Sequence, residues 1–306
     1  MAKISIPVIN AANLHDCQTL RALDNACRGY GVFFLVGHGI PKHVQRNLRT
    51  AMQTFFALPS DSKQLLLRNE ENHWGYYDRE LTKQRVDRKE VYDYGRMLSD
   101  TVFPQWPQNL PNFQYNIEQY FVASEILALT ILGAIAENLG VAAEQVTHTF
   151  QPLNSSFLRL NYYPLVDDNP SGELGIHPHT DAGAVTVLLQ DEQAGLEIFY
   201  QDDWHLIKPI EDALIINLGD IVQVWSNDRY RAPLHRVIAS TERERYSAAF
   251  FLNPSVDTVF EPLAPLLDTN NVAKYHPIHW QAFRNARAKG DYQNYGREVQ
   301  ISDYRK

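Results

Sequence analysis

The stretch Ile176-His177-Pro178-His179-Thr180-Asp181 places three potential metal ligands within a few residues of one another. In an extended strand, residues two apart project to the same side, so His179 and Asp181 would share one face. An imidazole nitrogen and a carboxylate oxygen on one face form the local geometry of a chelate. Because a lone His-x-Asp pair is also common by chance, this interpretation requires another ligand elsewhere in the chain.

His235 is the candidate for that ligand, and it lies 54 residues after Asp181 (235 − 181). The residues between them read as several short strands with turn signals, which is enough chain to go around a barrel and return. Two imidazoles and one carboxylate on one face of a metal leave three positions open, as in non-haem Fe(II) oxygenases. His177 has the same strand parity as His179, so periodicity alone does not exclude it as a ligand.

Two further pairs of residues could hold an anion. Arg245 and Ser247 lie two apart, and an arginine fork beside a hydroxyl suits a carboxylate. Asn161 and Tyr163 form a second pair that shares a strand face. Continuing the parity of Arg245 to Phe251 predicts an aromatic ring that faces the same cavity and contacts the substrate. Simple core packing explains Phe251 at least as well.

With the segments around them, these residues resemble the Fe(II)- and 2-oxoglutarate-dependent dioxygenases of the isopenicillin N synthase-like family. The resemblance covers most of the chain, from residue 4 to about residue 280. Its segments are residues 7–9 (PVI), 31–40 (GVFFLVGHGI), 161–164 (NYYP), 179–181 (HTD), 188–196 (LLQDEQAGL), 225–230 (WSNDRY), 233–237 (PLHRV) and 245–254 (RYSAAFFLNP). Glu197, where many relatives have Gln, and Gly37, where Asn is frequent, depart from the pattern and bear on substrate class more than on reaction class.

The resemblance implies a mainly β fold, a double-stranded β-helix (jelly roll) with flanking helices and an N-terminal α/β cap. It implies Fe(II), with 2-oxoglutarate as co-substrate and dioxygen as oxidant. The implied iron ligands, which are also the catalytic residues, are His179, Asp181 and His235. The implied 2-oxoglutarate contacts are Arg245, Ser247, Tyr163 and Asn161. In the family, the first histidine ligand directly precedes Thr-Asp, and this favours His179 as the ligand. His177 is then expected either behind the ligands or in the wall of the cavity.

The implied reaction is hydroxylation or desaturation of a small organic substrate, with decarboxylation of 2-oxoglutarate to succinate. An oxidase of the isopenicillin N synthase or aminocyclopropane-carboxylate oxidase type, which needs no 2-oxoglutarate, is the alternative. The Arg-x-Ser pair does not discriminate between them, whereas Asn161 and Tyr163 favour the first. A second alternative is a non-catalytic iron- and 2-oxoglutarate-binding module. A lost ligand or a broken Arg-x-Ser pair would indicate it, and neither is seen.

Composition agrees with a soluble enzyme. The 306 residues are 44% hydrophobic and 21% charged, which is typical of globular proteins. The net charge of −8 and the lack of a long Lys/Arg block argue against nucleic acid and membrane partners. Two cysteines give no disulfide framework, the start lacks a signal peptide, and the apolar run 126–136 is too short to span a bilayer. We expect a cytoplasmic monomer that acts on a small molecule.

We predict four regions along the chain. They are a cap integrated with the core (residues 4–107), a scaffold helix (108–152), the jelly-roll core (153–256) and a C-terminal helix and tail (257–306). Period and composition predict strands at 157–163, 186–190, 196–200, 214–218, 221–225 and 248–252, and helices at 17–27, 41–58, 113–139 and 274–289. The basic cluster Arg79, Lys83, Arg85 and Arg88 suggests the hypothesis that the substrate carries a carboxylate.

Overall fold

The computed structural model describes residues 4–166 and 173–306. The strands in these ranges are β1 (Val8–Asn10), β2 (Val32–Val36), β3 (Gly75–Tyr77), β4 (Leu81–Thr82), β5 (Arg85–Val86), β6 (Glu90–Gly95), β7 (Phe157–Tyr163), β8 (Leu174–His179), β9 (Val185–Gln190), β10 (Leu196–Tyr200), β11 (Asp203–Leu206), β12 (Leu214–Leu218), β13 (His235–Ile238), β14 (Arg245–Leu252), β15 (Val259–Phe260) and β16 (Ile278–His279). The α-helices are α1 (Cys17–Gly29), α2 (Lys42–Phe56), α3 (Ser60–Gln64), α4 (Phe113–Leu139), α5 (Glu144–Thr147), α6 (Asp220–Trp225) and α7 (Trp280–Tyr292).

Two facing sheets form the core. The larger sheet has the strand order β1-β2-β12-β9-β14-β7-β6-β3, and the smaller has the order β11-β10-β13-β8. From β7 to β14 the chain passes repeatedly from one sheet to the other, with β7, β9, β12 and β14 in the larger sheet and β8, β10, β11 and β13 in the smaller. This alternation is typical of a double-stranded β-helix, so the predicted fold class is confirmed.

The N-terminal part of the chain extends the larger sheet at both edges. β2 pairs antiparallel with β12 and parallel with β1, whereas β6 pairs with β7 and β3 pairs with β6. The first four of the five apolar residues of β2 are buried, as expected of a strand covered on both faces. The N-terminal strands therefore share hydrogen bonds with the core sheet. The boundaries at residues 107, 152 and 256 stay a prediction.

The long helix α4 supports the outer face of the larger sheet. It has the predicted bounds and ends at Gly140, whose φ of 76° suits a residue without a side chain. Its Phe121 ring meets the Phe250 ring of β14 edge-on, at 5.1 Å between centroids. By length and composition the helix could cross a membrane, but 56% of its most apolar window is buried within the protein. Here it packs as a core helix.

Two predicted elements differ from the structure. Residues 221–225 form most of helix α6 and not a strand, because a short buried apolar run has the same appearance in both structures. The predicted helix at 274–289 starts later, at Trp280, since Pro277 disfavours helical backbone at the residue before it. The predicted set also lacks several short strands, among them β8, whose apolar pattern Pro178 interrupts, and β13, which begins with His235 and Arg236.

The substitution Phe250→Ala tests the contact between α4 and the larger sheet. Phe250 is fully buried, so its truncation leaves a cavity and should lower the free energy of unfolding by about 3–5 kcal/mol. Urea denaturation followed by circular dichroism measures the change. Phe199→Ala is the control. Because Phe199 is 38% exposed, its truncation should lower the free energy of unfolding far less. Equal losses in the two variants would contradict this packing.

Candidate active site

Three predicted ligands meet at one end of the smaller sheet. His179 ends β8 and His235 begins β13, and the two residues pair directly across these antiparallel strands. Their rings lie 4.3 Å apart between centroids. Asp181 follows in the next turn, with its Oδ1 3.9 Å from His179 Nε2 and 3.6 Å from His235 Nε2. The ligand atoms all lie within 4.8 Å of one another, a spacing that fits one metal ion.

Both imidazoles are oriented by the backbone. His179 Nδ1 donates to the carbonyl of His177 at 2.8 Å, and His235 Nδ1 donates to the carbonyl of Pro233 at 3.0 Å. A carbonyl oxygen only accepts, so Nδ1 carries the proton in each ring and Nε2 keeps its lone pair for a metal. Burial, with the neighbouring His235, holds the pKa of His179 well below its usual value. The ring is therefore neutral at neutral pH.

The Asp181 turn is held by three other segments. Thr186 Oγ1 donates to Asp181 Oδ2 at 2.7 Å, which leaves Oδ1 facing the imidazoles. Arg287 of α7 donates to the carbonyl of Thr180 at 2.9 Å and to the Asp220 carboxylate at 2.7 Å. The backbone N–H of Asp220 donates to the carbonyl of Asp181 at 2.8 Å. The carboxylate is thus positioned before any metal binds.

A glycine allows this close approach of α6 to the ligand turn. A Cβ atom at Gly219 would lie 2.0 Å from the carbonyl oxygen of Gly183, which is closer than any real contact. Gly219 precedes the first turn of α6, so its lack of a side chain brings that turn against Asp181. Any larger residue here would move the turn that carries the carboxylate.

His177 faces away from the three ligands. Its Nδ1 lies 2.9 Å from Asp87 Oδ1, and its backbone N–H donates to the same oxygen at 3.1 Å. His177 does not share the face of His179, because the pairing of β13 with β8 shifts register between His235 and Val237 and β8 is not a regular strand. His177 belongs to the hydrogen bonds behind the site, one of the two places that the sequence left open for it.

The four residues predicted to hold 2-oxoglutarate lie together on β7 and β14. Arg245 pairs with Tyr163, and Ser247 pairs with Asn161. Arg245 is 1% exposed, and its guanidinium group lies over the Tyr163 ring at 4.8 Å from the centroid. Two guanidinium nitrogens of Arg245 donate to Gln193 and Gln190, at 3.2 and 2.9 Å.

The remaining nitrogen, Arg245 Nη1, is buried and has no hydrogen-bond partner among the described residues. Asn161 Oδ1 is in the same situation. Buried polar atoms are rarely left unsatisfied, and a carboxylate in this cavity would accept from the free N–H. The residues present therefore fit the far carboxylate of 2-oxoglutarate. Their roles, like those of the metal ligands, stay predictions.

One elongated cavity of about 430 Å³ contains both groups of residues. Along β14, Arg245 and Phe251 lie six residues apart on one face, or about 20 Å at the rise of a strand. Phe251 lines the cavity, as predicted, and stacks on Phe157 at 4.7 Å. Asn217 also lines it, and its Oδ1 is buried without a partner in the described chain. The sequence offered one signal for Asn217, which was overlooked: it is the polar residue in the apolar strand β12.

The basic cluster proposed from the sequence does not line this cavity. Arg79 is 67% exposed in its side chain, and the exposed side chain of Arg88 binds Glu173. Lys83 and Arg85 belong to the β4–β5 hairpin or its turn, and neither lines the cavity. Sequence alone could not separate them from the cations that do line the cavity, which are Arg68, Lys89, Arg159, Arg284, Arg287 and Lys289 in addition to Arg245. The structure therefore gives no support to the hypothesis that this cluster binds a substrate carboxylate.

A buried ionic network neutralises several of those cations. Arg68 binds Asp93 and Glu80, Arg159 binds both of the same carboxylates, and Lys89 lies 2.5 Å from Glu80. Burial alone would raise the pKa of Glu80. The charges of Arg159, Lys89 and Arg68 outweigh burial and hold this pKa well below its usual value. Glu80 is thus ionised at neutral pH and ties three cations together.

Comparisons with known proteins agree with this site. The model of the 2OG-Fe(II) oxygenase superfamily matches residues 154–254, and that of the non-haem dioxygenase in morphine synthesis N-terminal region matches residues 6–113. Jasmonate-induced oxygenase 2 of Arabidopsis thaliana is 32% identical over 294 residues, covering 92% of this chain and 78% of the relative. Gibberellin 20 oxidase 1 of the same plant is 32% identical over 296 residues, with coverages of 92% and 78%.

A solved structure gives the same result. The crystal structure of JOX2 in complex with 2OG, Fe and JA has a TM-score of 0.88 and 29% identity, and the match covers 100% of this chain and 90% of that one. The chain belongs to the 2OG-Fe(II) oxygenase superfamily. It is a non-haem Fe(II)- and 2-oxoglutarate-dependent dioxygenase, an oxidoreductase that acts on a small organic substrate. The predicted family, cofactors and reaction class are confirmed, and the oxidase and non-catalytic alternatives gain no support.

Paired histidine variants test the metal ligands. His179→Ala removes one imidazole nitrogen from the cluster. It should weaken Fe(II) binding by more than the roughly 10–100-fold that is typical when a residue hydrogen-bonded to a ligand is lost. His177→Ala keeps the carbonyl that orients His179, so it should bind Fe(II) as the wild type does. Anaerobic Fe(II) titration followed by calorimetry measures both affinities. The reverse order of effects would make His177 the ligand.

Removal of one carboxylate from the ionic network tests its contribution to stability. Glu80→Gln leaves buried cations without a full set of partners and should lower the free energy of unfolding by about 3–5 kcal/mol at pH 7. Because the pKa of Glu80 is lower in the folded state than in the unfolded state, its contribution is full above the unfolded value and is lost as pH falls. The difference between wild type and variant should therefore shrink in acid.

Urea unfolding at pH 7 and at successively lower pH measures this difference. Glu192→Gln is the matched control, because the Glu192 side chain is 93% exposed and should contribute little at any pH. A difference between wild type and Glu80→Gln that grows as pH falls would show that Glu80 is not stabilised as an anion.

Proposed function

We propose that His179, Asp181 and His235 hold the iron of this dioxygenase and that Arg245, Ser247, Tyr163 and Asn161 hold 2-oxoglutarate beside it. The observation that carries the proposal is the unpartnered Nη1 of buried Arg245, which lines the same cavity as the three oriented ligands. A buried cation with a free N–H needs an anion, and the far carboxylate of 2-oxoglutarate supplies one.

Each residue has a separate task in this proposal. The bound iron supplies the activation of dioxygen, coupled to decarboxylation of 2-oxoglutarate to succinate. The two histidines present fixed lone pairs, and Asp181 presents the oxygen that Thr186 leaves free. Arg245 offsets the cost of moving a carboxylate out of water, and the Ser247 hydroxyl adds a hydrogen bond. The protein thus positions and orients the reactants.

The walls of the cavity exclude water around the co-substrate. Leu188, Leu196 and Val237 line it and are each less than 9% exposed. Apolar walls keep the local dielectric low, which strengthens the interaction between Arg245 and a carboxylate. They also keep water away from reactive species during turnover.

Phe251 is proposed to contact the substrate, which is hydroxylated or desaturated. Thr186 pairs with Phe251 across β9 and β14 and also holds Asp181. The Phe251 ring is therefore at the metal end of the cavity, away from Arg245. A substrate against this ring would lie beside the iron, as oxidation of one of its carbon–hydrogen bonds requires.

We also propose that the enzyme is a cytoplasmic monomer that binds neither membranes nor nucleic acid. The net charge of −8 disfavours polyanionic partners. Cys17 and Cys27 are both free, in agreement with a reducing compartment. Analytical ultracentrifugation tests the oligomeric state.

Arg245→Ala tests the assignment of the 2-oxoglutarate site. The variant should bind Fe(II) normally but lose at least about 30-fold in affinity for 2-oxoglutarate, because a buried charge pair is broken. Anaerobic addition of 2-oxoglutarate to the Fe(II) protein, followed by the visible charge-transfer band of the chelate, measures this affinity. Arg243→Ala is the control, since the Arg243 side chain is 53% exposed. An unchanged affinity in Arg245→Ala would refute the assignment.

A further inference from the structure

Helix α7 forms one wall of the substrate end of the cavity. Trp280, Arg284, Ala288 and Asp291 all line the cavity, and their spacing of three or four residues places them on one face of the helix. Trp280 Nε1 donates to Ser155 Oγ, just before β7, at 2.8 Å, and Arg284 lies over the Trp74 ring. The chemistry of this helix face therefore decides which substrates can bind beyond the co-substrate.

Arg284 is a cation without an ionic partner on this wall. Its guanidinium group lies over the Trp74 ring, 5.7 Å from the centroid. Within residues 4–166 and 173–306, no carboxylate oxygen lies within 4.0 Å of it. Burial lowers the pKa of Arg284 from its usual value, although it stays a cation at neutral pH. An anion from solution would satisfy it.

The other partly buried cations of this wall already have ionic partners. Arg68 and Arg159 share Glu80 and Asp93, and Arg287 binds Asp220 and Glu298. Lys89 binds Glu80 and Asp87. Lys289 lines the cavity but is solvent-exposed. Arg284 is therefore the cation that remains to attract an anion at the substrate end.

His73 supplies a second unsatisfied group beside Arg284. Its ring packs edge-on against Trp74, at 4.2 Å between centroids, and its Nε2 is buried without a partner in the described part of the chain. Burial, with the charges of Arg284 and Arg68, lowers the pKa of His73 to about 3. The ring is therefore neutral, and it can donate a hydrogen bond from Nε2 to an anion held by Arg284.

One nearby acid could oppose such an anion. Asp291 faces Arg284 from the same helix, but burial, with the charge of Glu80, raises the pKa of Asp291 to about 7. This shift disfavours the charged form of Asp291. Asp93, the other acid near Arg284, already binds Arg68 and Arg159. Neither of these two acids lies within ion-pair distance of Arg284.

An aromatic surface connects Arg284 with the metal centre. Trp74 contacts Phe157 at 5.7 Å between centroids, and Phe157 stacks on Phe251 at 4.7 Å. Phe251 pairs with Thr186, whose hydroxyl holds Asp181. The order along the cavity is therefore an anion site, a strip of aromatic rings and the metal ligands. A molecule that fits this order has an acidic group at one end and an apolar body.

We propose that Arg284, assisted by His73, anchors the carboxylate of the substrate, which is a small organic acid whose apolar body lies along Trp74, Phe157 and Phe251. This inference rests on the proposed function and adds the substrate class. Arg284 selects and positions the substrate and takes no part in the chemistry at the iron. The carboxylate site lies at the opposite end of the cavity from Arg245, so substrate and 2-oxoglutarate do not compete.

Matched acids and amides test the proposal. The probes are phenylacetate, 3-phenylpropanoate and cyclohexylacetate, each paired with its amide, together with 2-phenylethylamine as a cationic probe. They are added anaerobically to the protein loaded with Fe(II) and saturating 2-oxoglutarate. Binding is followed by perturbation of the charge-transfer band and by the shift of the melting temperature. In the wild type at least one acid should bind about 10-fold or more tightly than its amide.

Variants then locate the binding. Arg284→Gln should weaken the binding of that acid by about 10- to 100-fold and leave the binding of its amide unchanged. Arg284→Lys should recover part of the affinity, because it restores the charge without the planar fork. Arg79→Gln removes a cation from the exposed cluster outside the cavity and should leave the affinities for acid and amide unchanged. The melting temperature without ligand should stay close to the wild type in all three variants, since Arg284 makes no ion pair that stabilises the fold.

Several results would overturn the proposal. It fails if no acid binds more tightly than its amide or if the amine binds most tightly. It also fails if Arg284→Gln weakens the binding of acid and amide equally. Failure of the charge-transfer band to form in the wild type would instead refute the proposed function. In that case melting-temperature shifts of the metal-free protein still compare acid with amide, and their dependence on Arg284 decides the anion site separately.

Discussion

The pairing of His179 with His235 across two antiparallel strands is the constraint on which the active site depends. Each ring donates to the carbonyl two residues before it, so one local pattern occurs twice, on β8 and on β13. Direct pairing sets the distance between the rings, and the carbonyls set their rotation and tautomer. The Asp181 carboxylate and its turn need separate support, which Thr186 and the backbone of α6 provide. The site is thus built mainly from strand geometry.

Parts of this arrangement could be predicted from the sequence because they depend on local pattern. The bounds of β7, β10 and β12 follow from short apolar or alternating runs between turns, and α4 is long and ends at a glycine. The ligand spacing, together with the family resemblance, predicted His179, Asp181 and His235, and the structure brings these three residues together. For these features, a few neighbouring residues carry the information.

The remaining features could not be predicted because distant contacts decide them. The direction of His177 depends on a register shift between β8 and β13 and on Asp87, 90 residues away. The lack of a partner for Arg284 is decided by Asp93, which binds Arg159 from 66 residues away. Sequence shows that a residue is charged, but only the folded chain shows which opposite charge has already been taken. For this reason, the sequence alone suggested the exposed cluster at Arg79 as the site of a substrate carboxylate.

Arg287 has a consequence for the order in which this protein matures. It comes from α7, yet it holds the carbonyl of Thr180 and, through Asp220, the backbone of Asp181. During synthesis, strands β7 to β14 leave the ribosome before α7. The three ligand side chains can gather at that stage, but their turn lacks the hydrogen bonds from Arg287. The ligand turn therefore gains its full set of hydrogen bonds only after α7 has docked.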